Sequence, residues 1–134
     1  MYAKFTGDSG AGGVATLTGS RVYHEIVPQG TAFPYLFFNK VIGAPWYVFG
    51  NSAAHSNYLY GVQAFAKDTS TASGSEVAQT IIDRVEVLFR NAALTGLTVI
   101  NSRKDSDQPD ITEIDPTDNE RIFRRGCYLR IELA

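Results

Sequence analysis

Apolar positions along this chain follow two periods, one strand-like and one helical. From Arg21 to Val27 they alternate, with Val22, His24 and Ile26 on one face and Arg21, Tyr23 and Glu25 on the other, which predicts a half-buried strand. Pro28, Gln29 and Gly30 break it, and Phe33 to Ile42 is then dense enough in aromatic and branched residues to predict a central strand covered on both faces. Gly43 to Asn57 sets Pro45, Gly50 and Asn51 around Trp46, Tyr47, Val48 and Phe49, a pattern of turn, short strand and loop. Alternation returns from Tyr58 to Lys67, with Tyr58, Tyr60, Val62, Ala64 and Ala66 on one side and Leu59, Gln63, Phe65 and Lys67 on the other.

The period then changes. Ser73 followed by Glu76 predicts a reciprocal capping box at a helix start. Between Ser75 and Ala92, the residues Ala78, Ile81, Ile82, Val85, Leu88, Phe89 and Ala92 recur at three- and four-residue steps and form one stripe. A helix of that length spans about 27 Å, comparable to a strand of about eight residues, so one helix can cover a small sheet. Leu97 to Ser102 predicts another strand, and Arg121 to Leu133 a last one, with Cys127, Leu129, Ile131 and Leu133 alternating with Tyr128, Arg130 and Glu132. The predicted fold class is α+β: a mostly antiparallel β-sheet, one main amphipathic α-helix packed on one face, and a long projecting hairpin or loop from the polar stretch Arg103 to Asn119.

Residues 1–19 contain Gly7, Gly10, Gly12, Gly13 and Gly19 and predict a flexible N-terminal arm, leaving residues 20–134 as one α+β domain. Hydrophobic residues make up 44% and charged residues 19%, a globular balance. The net charge of −2 provides no general basic field for gripping nucleic acid by its phosphates. A lone Cys127, with no signal peptide and no apolar run of membrane-spanning length, points to synthesis and folding in a reducing cytoplasm with no membrane partner.

No catalytic, cofactor-binding or metal-binding motif emerges. The glycines near the start lack the Lys-Ser/Thr of a phosphate loop and the strand-to-helix setting of a dinucleotide site. His24 and His55 have no Cys/His cluster near them in sequence, Cys127 sits on an apolar strand face without an adjacent base, and Asp105, Asp107 and Asp110 lack the calcium-loop pattern. The expectation is a protein that is not an enzyme and carries no cofactor.

Charge is segregated in the polar stretch. Six acidic residues between Asp105 and Asp118 precede Arg121, Arg124 and Arg125, so repeated copies could pair an acidic surface with a basic one. The candidate interface residues are Asp105, Asp107, Asp110, Glu113, Arg121, Arg124 and Arg125.

The run SRVYHEIVPQGTAFPYLFF, the alternating YLYGVQAFAKD, the single helix SGSEVAQTIIDRVEVLFRNA and the closing GCYLRIELA, in that order, resemble the tail-terminator or tail-completion family of long-tailed bacteriophages. Members of that family commonly begin with an amphipathic helix, of which MYAKFTGDSGAGGVATLTG offers a short, glycine-broken version. The resemblance implies a homo-hexameric ring in the virion neck, at the head-proximal end of the tail tube, made in the host cytoplasm. Such a ring would stop tube growth and join tail to head. Its implied partners are further copies of itself, the major tail tube protein and a head-completion or stopper protein, with genomic DNA passing through the lumen without specific binding. Another neck component is the nearest alternative; a small-ligand-binding α+β domain, with a pocket near Tyr35, Trp46 or Tyr60, is the second.

Overall fold

The computed structural model describes residues 1–47, 53–90, 92–94 and 98–133, with the side chains of 44–47 and 53–55 outside the description. Its elements in chain order are α1 (Tyr2–Thr6), α2 (Val14–Thr18), β1 (Val22–His24), β2 (Tyr35–Tyr47), β3 (Ala53–Lys67), α3 (Gly74–Leu88), β4 (Val99–Asp107), β5 (Ile111–Ile114) and β6 (Arg121–Leu133). The strands form one sheet in the order β1-β2-β3-β6-β4, and β5 also pairs with β6. All pairings are antiparallel except β1 with β2. The fold is therefore α+β, with a mixed and mainly antiparallel sheet.

The helical stripe packs as its period requires. Ala78, Ile81, Ile82, Val85 and Phe89 are buried, against Leu36 and Phe38 of β2, Val62, Ala64 and Ala66 of β3, and Cys127, Leu129 and Ile131 of β6. These strand residues share one face because side chains alternate and antiparallel partners point the same way. The helix begins after Ser73, but without a side-chain capping bond from that residue. The carboxylate of Asp68 does this work instead, accepting from Gly74 N–H at 2.8 Å. Gly74 is required by close approach: a Cβ there would lie 2.7 Å from both the Lys67 carbonyl carbon and Phe123 Cδ2.

Residues 1–19, where the sequence predicts a flexible arm, hold the two short helices α1 and α2 and contribute Phe5, Val14, Ala15 and Thr18 to the buried set. Phe5 is the wedge, its ring 5.2 Å from those of both Phe38 and Phe89. The glycines here build turns: Gly12 has φ +74° and Gly19 closes α2 in the left-handed conformation at φ +59°.

Other expectations are redrawn. The strand predicted from Arg21 to Val27 spans only Val22 to His24, because Glu25 takes a positive φ of 66° and turns the chain; Val22 is buried while Ile26 is 78% exposed. β2 is buried on one face only, since no helix covers its other side among the described residues. The predicted turn and short strand at Gly43 to Asn57 is instead the continuation of β2 and the start of β3, paired as far as Tyr47↔Ala53; residues 48–52 lie outside the described residues, as does the start of the strand predicted at Leu97. The polar stretch Arg103 to Asn119 forms a hairpin with β6 that runs along the sheet. Within it β4 pairs with Cys127 to Leu133 and β5 with Arg121 to Arg124, so the two lie on one side of β6, interrupted at Gln108 to Asp110. Its polarity reflects an exposed sheet edge, which needs few apolar residues.

Candidate assembly interface

The charged residues singled out from the sequence are divided between the two faces of the sheet by strand alternation. Arg124 and Arg125 are neighbours in β6 and therefore point to opposite sides. Arg125 faces the helix, donating from Nη2 to Ser75 Oγ at 2.8 Å, with Nε 3.4 Å from Asp110 and a side chain only 12% exposed. Arg121, on the same face, meets Asp68 at 3.1 Å. Arg124 lies on the uncovered face, between Phe65 of β3 and Ile111 of β5. Glu113 sits beside it in β5, opposite Ile122.

The acidic members close contacts within the chain. Asp105 accepts from Arg130 Nε at 2.9 Å, which holds its carboxyl below the ordinary carboxylate range, and Arg130 also reaches Asn57 Oδ1 at 3.0 Å. Asp107 meets Lys104 at 3.1 Å, and Lys104 also meets Glu86 of α3 at 3.1 Å. Asp105, Asp107 and Asp110 thus meet counter-charges within the chain, and the seven residues do not form one contiguous patch.

Two clusters have no local sequence signal. Lys67, at the end of β3, meets Asp115 and Asp118 at 2.7 Å each and lies 4.8 Å from the Phe33 ring centroid. These hydrogen bonds raise the Lys67 pKa and lower those of both carboxyls. The Asp8 carboxylate receives Arg84 and the Val14 N–H, binding α1, α2 and α3 together.

The uncovered face carries an aromatic row. Tyr35 stacks on Phe65 at 4.8 Å, with Tyr23 at 6.0 Å and Phe33 at 5.2 Å from Tyr35. Burial, then the nearby charge of Glu113, raises the Tyr35 pKa. A sheet with a helix-covered face and an aromatic, arginine-bearing face presents two unlike surfaces.

For catalysis the arrangement offers little. Cys127 is fully buried, and burial pushes its thiol up to about 12. His24 lies stacked on Phe38 at 4.7 Å, and the His55 side chain is outside the description. Among the described residues no cluster of His, Cys, Asp and Glu has metal-binding geometry, and no helix is long and apolar enough to cross a membrane. A cleft of about 300 Å³ is lined by Lys40, Tyr58, Tyr60, Leu94, Ile131 and other residues. Of the three aromatics expected near a ligand pocket, Tyr60 lines this cleft, Tyr35 lies on the opposite face of the sheet, and the Trp46 side chain is outside the description.

Comparison with known proteins gives a family. The model described as Tail completion protein gp17 matches residues 2–114, a span that takes in α1 and α2 and ends with β5. No curated protein matches. Among solved structures, a chain from one described as "Virion of native gene transfer agent (GTA) particle" is 15% identical, over 88% of this chain and 83% of its own, with a TM-score of 0.53, a likeness of fold. A second solved chain, 17% identical over 83% of this chain and 78% of its own, superposes with a TM-score of 0.38, too loosely to support an argument.

Proposed function

The chain belongs to the family of tail completion protein gp17, a family of structural proteins of the phage tail, and on that basis we propose that it forms a ring at the head-proximal end of the tail tube. In this reading the ring is a homo-hexamer. One of its surfaces complements the last ring of the major tail tube protein; the other does not recruit a further tube subunit and offers a platform for a head-completion or stopper protein. DNA passes through the lumen without sequence-specific contact. The work is differential assembly, with no bond made or broken.

The observation that carries the reading is the family match across most of the chain. The two unlike sheet faces support it, since a cap must bind on one side and refuse on the other. The net charge of −2 is compatible with a channel that does not hold phosphates.

The test is negative-stain electron microscopy of the purified chain, alone and mixed with tubes of its cognate major tail protein. Rings, and density at one end of each tube, are the expected result. Rings that ignore tubes would move the protein to another position in the neck, and the absence of both would overturn the reading.

A further inference from the structure

Among the described residues the sheet ends in two edges without strand partners. On one side β1 covers β2 only from Leu36 to Phe38, so the outer edge of β2 from Asn39 to Tyr47 faces no strand among the described residues. On the other side β4, a 9-residue strand, pairs only with β6 among the described residues, which leaves its outer edge bare there. Among the described residues, no backbone hydrogen bond outside the ladders begins or ends in either stretch. Such edges carry rows of unpaired N–H and C=O groups, ready to pair with another strand.

Exposed apolar side chains collect at the same places. Of the seven large hydrophobics exposed among the described residues, Val41 (48%) and Ile42 (56%) lie on the bare part of β2, Ile100 (56%) on β4 and Ile114 (56%) on β5, which follows β4 along the same side of β6. Single exposed apolar residues need no explanation; a majority of them bordering the two ends of one sheet does. The bulges at Val41, Ile100 and Asp105 and the presence of Pro45 restrict which strand could dock, so these edges are selective and not generally adhesive.

The strand directions fit a second copy of the chain as the occupant. β2 and β6 run the same way, and β4 runs opposite to both. A neighbouring copy that continues the sheet therefore presents its β4 antiparallel to β2, over a length that matches the bare stretch. With the centres of the two edges opposed, Gly43 of β2 comes opposite Arg103 of the neighbour's β4, and Lys40 opposite Ser106.

We infer that the bare edge of β2 in one copy pairs with the outer edge of β4 in the next, a head-to-tail contact between copies. The inference rests on the ring reading above and names the contact that builds the ring. Because the two edges are different surfaces on opposite sides of the sheet, the contact is heterologous: every copy gives one edge and receives the other, and closure yields a ring.

Three variants of the full chain test it by native mass spectrometry and size exclusion, in solution and on cognate tubes. Val41→Asp blocks the β2 edge, Ile100→Asp blocks the β4 edge, and Val87→Asp changes an exposed apolar residue of α3, away from both. Thermal melts establish that each is folded, with Ile42→Lys replacing Val41→Asp if needed. The parent and Val87→Asp are expected to form rings and each edge variant to be monomeric. An equimolar mixture of the two edge variants should yield a one-to-one dimer and nothing larger, since only one intact edge of each remains. Rings from both edge variants, or a mixture that stays monomeric or recovers full rings, would overturn the edge contact while leaving the ring reading intact. A parent that never assembles would overturn both.

Discussion

Asp8 and Arg84, 76 residues apart in the chain, face each other through two hydrogen bonds, from Nε at 2.9 Å and from Nη2 at 2.8 Å. This fork-shaped pairing is the strong form of a carboxylate contact. The same carboxylate accepts from Val14 N–H at 2.9 Å, so one side chain secures the start of α2 and fixes it to α3. Replacing Asp8 with Asn keeps the size and removes the charge. The melting temperature should fall by a few degrees, and Arg84→Met combined with Asp8→Asn should cost less than the sum of the two changes. Additive losses in calorimetry would show that the pair is not coupled.

Acid should destabilise the protein through four carboxyls. The pKa values of Asp8, Asp105, Asp115 and Asp118 all lie below the ordinary value of 3.8, held down chiefly by Arg84, Arg130 and, for the last two, Lys67. A depressed folded-state pKa contributes stability that is present above the unfolded value and lost as pH falls through the folded one. Denaturation midpoints should hold steady down to about pH 5 and then decline towards pH 2. In Lys67→Met, which removes the partner of Asp115 and Asp118, the decline should be shallower; an unchanged slope would exclude Lys67 as its cause.

Cys127 should behave as a core residue. With its thiol fully buried and pushed up to about 12, alkylation by iodoacetamide at pH 8 should be undetectable in the folded protein and rapid in denaturant. Fast labelling of the native chain would mean that the β6 face opens readily.

Val85 lies at the centre of the buried stripe with no solvent exposure. Val85→Asp would place a carboxylate in the core without a partner and should abolish cooperative unfolding, whereas Val85→Ala should cost about 1–3 kcal/mol and leave the transition sharp. Circular dichroism melts distinguish these outcomes.

Arg124 and Arg125 should separate in their effects. Arg125 is held against Ser75 and Asp110, so Arg125→Glu should lower the melting temperature of the monomer. Arg124, on the uncovered face, should tolerate Glu with little thermal change, and any loss of assembly would then report a contact with another molecule. Matching melting temperatures and matching assembly for Arg124→Glu would remove that residue from the interface.

Much of this architecture is readable from the chain. The 3.6-residue stripe of α3 and the alternation of β3 and β6 are strong because each element buries one face against the same core. β4 and β5 are harder to see because an edge strand exposes most of its side chains and needs no apolar rhythm. The opposed directions of Arg124 and Arg125 follow from the parity of the Cys127 to Leu133 alternation and are legible in sequence. The Asp8–Arg84 and Lys67–Asp115 contacts are not, since their partners meet only after the sheet and helices have packed. The glycines of residues 1–19 mislead in a specific way: they suggest looseness by composition, while Gly12 and Gly19 take left-handed conformations in a segment whose Phe5 is packed into the core.

The place of β6 sets the order in which the two edges of the sheet can form. β6 lies inside the sheet, between β3 and β4, yet follows the other described strands in the chain, and among the described residues β4 pairs only with β6. A nascent chain can form the β2–β3 hairpin early, but it has nothing on which to mount β4 until β6 has left the ribosome. Under the proposed edge contact, the β2 edge therefore forms before the β4 edge, and an unfinished copy lacks the second edge that a head-to-tail link requires.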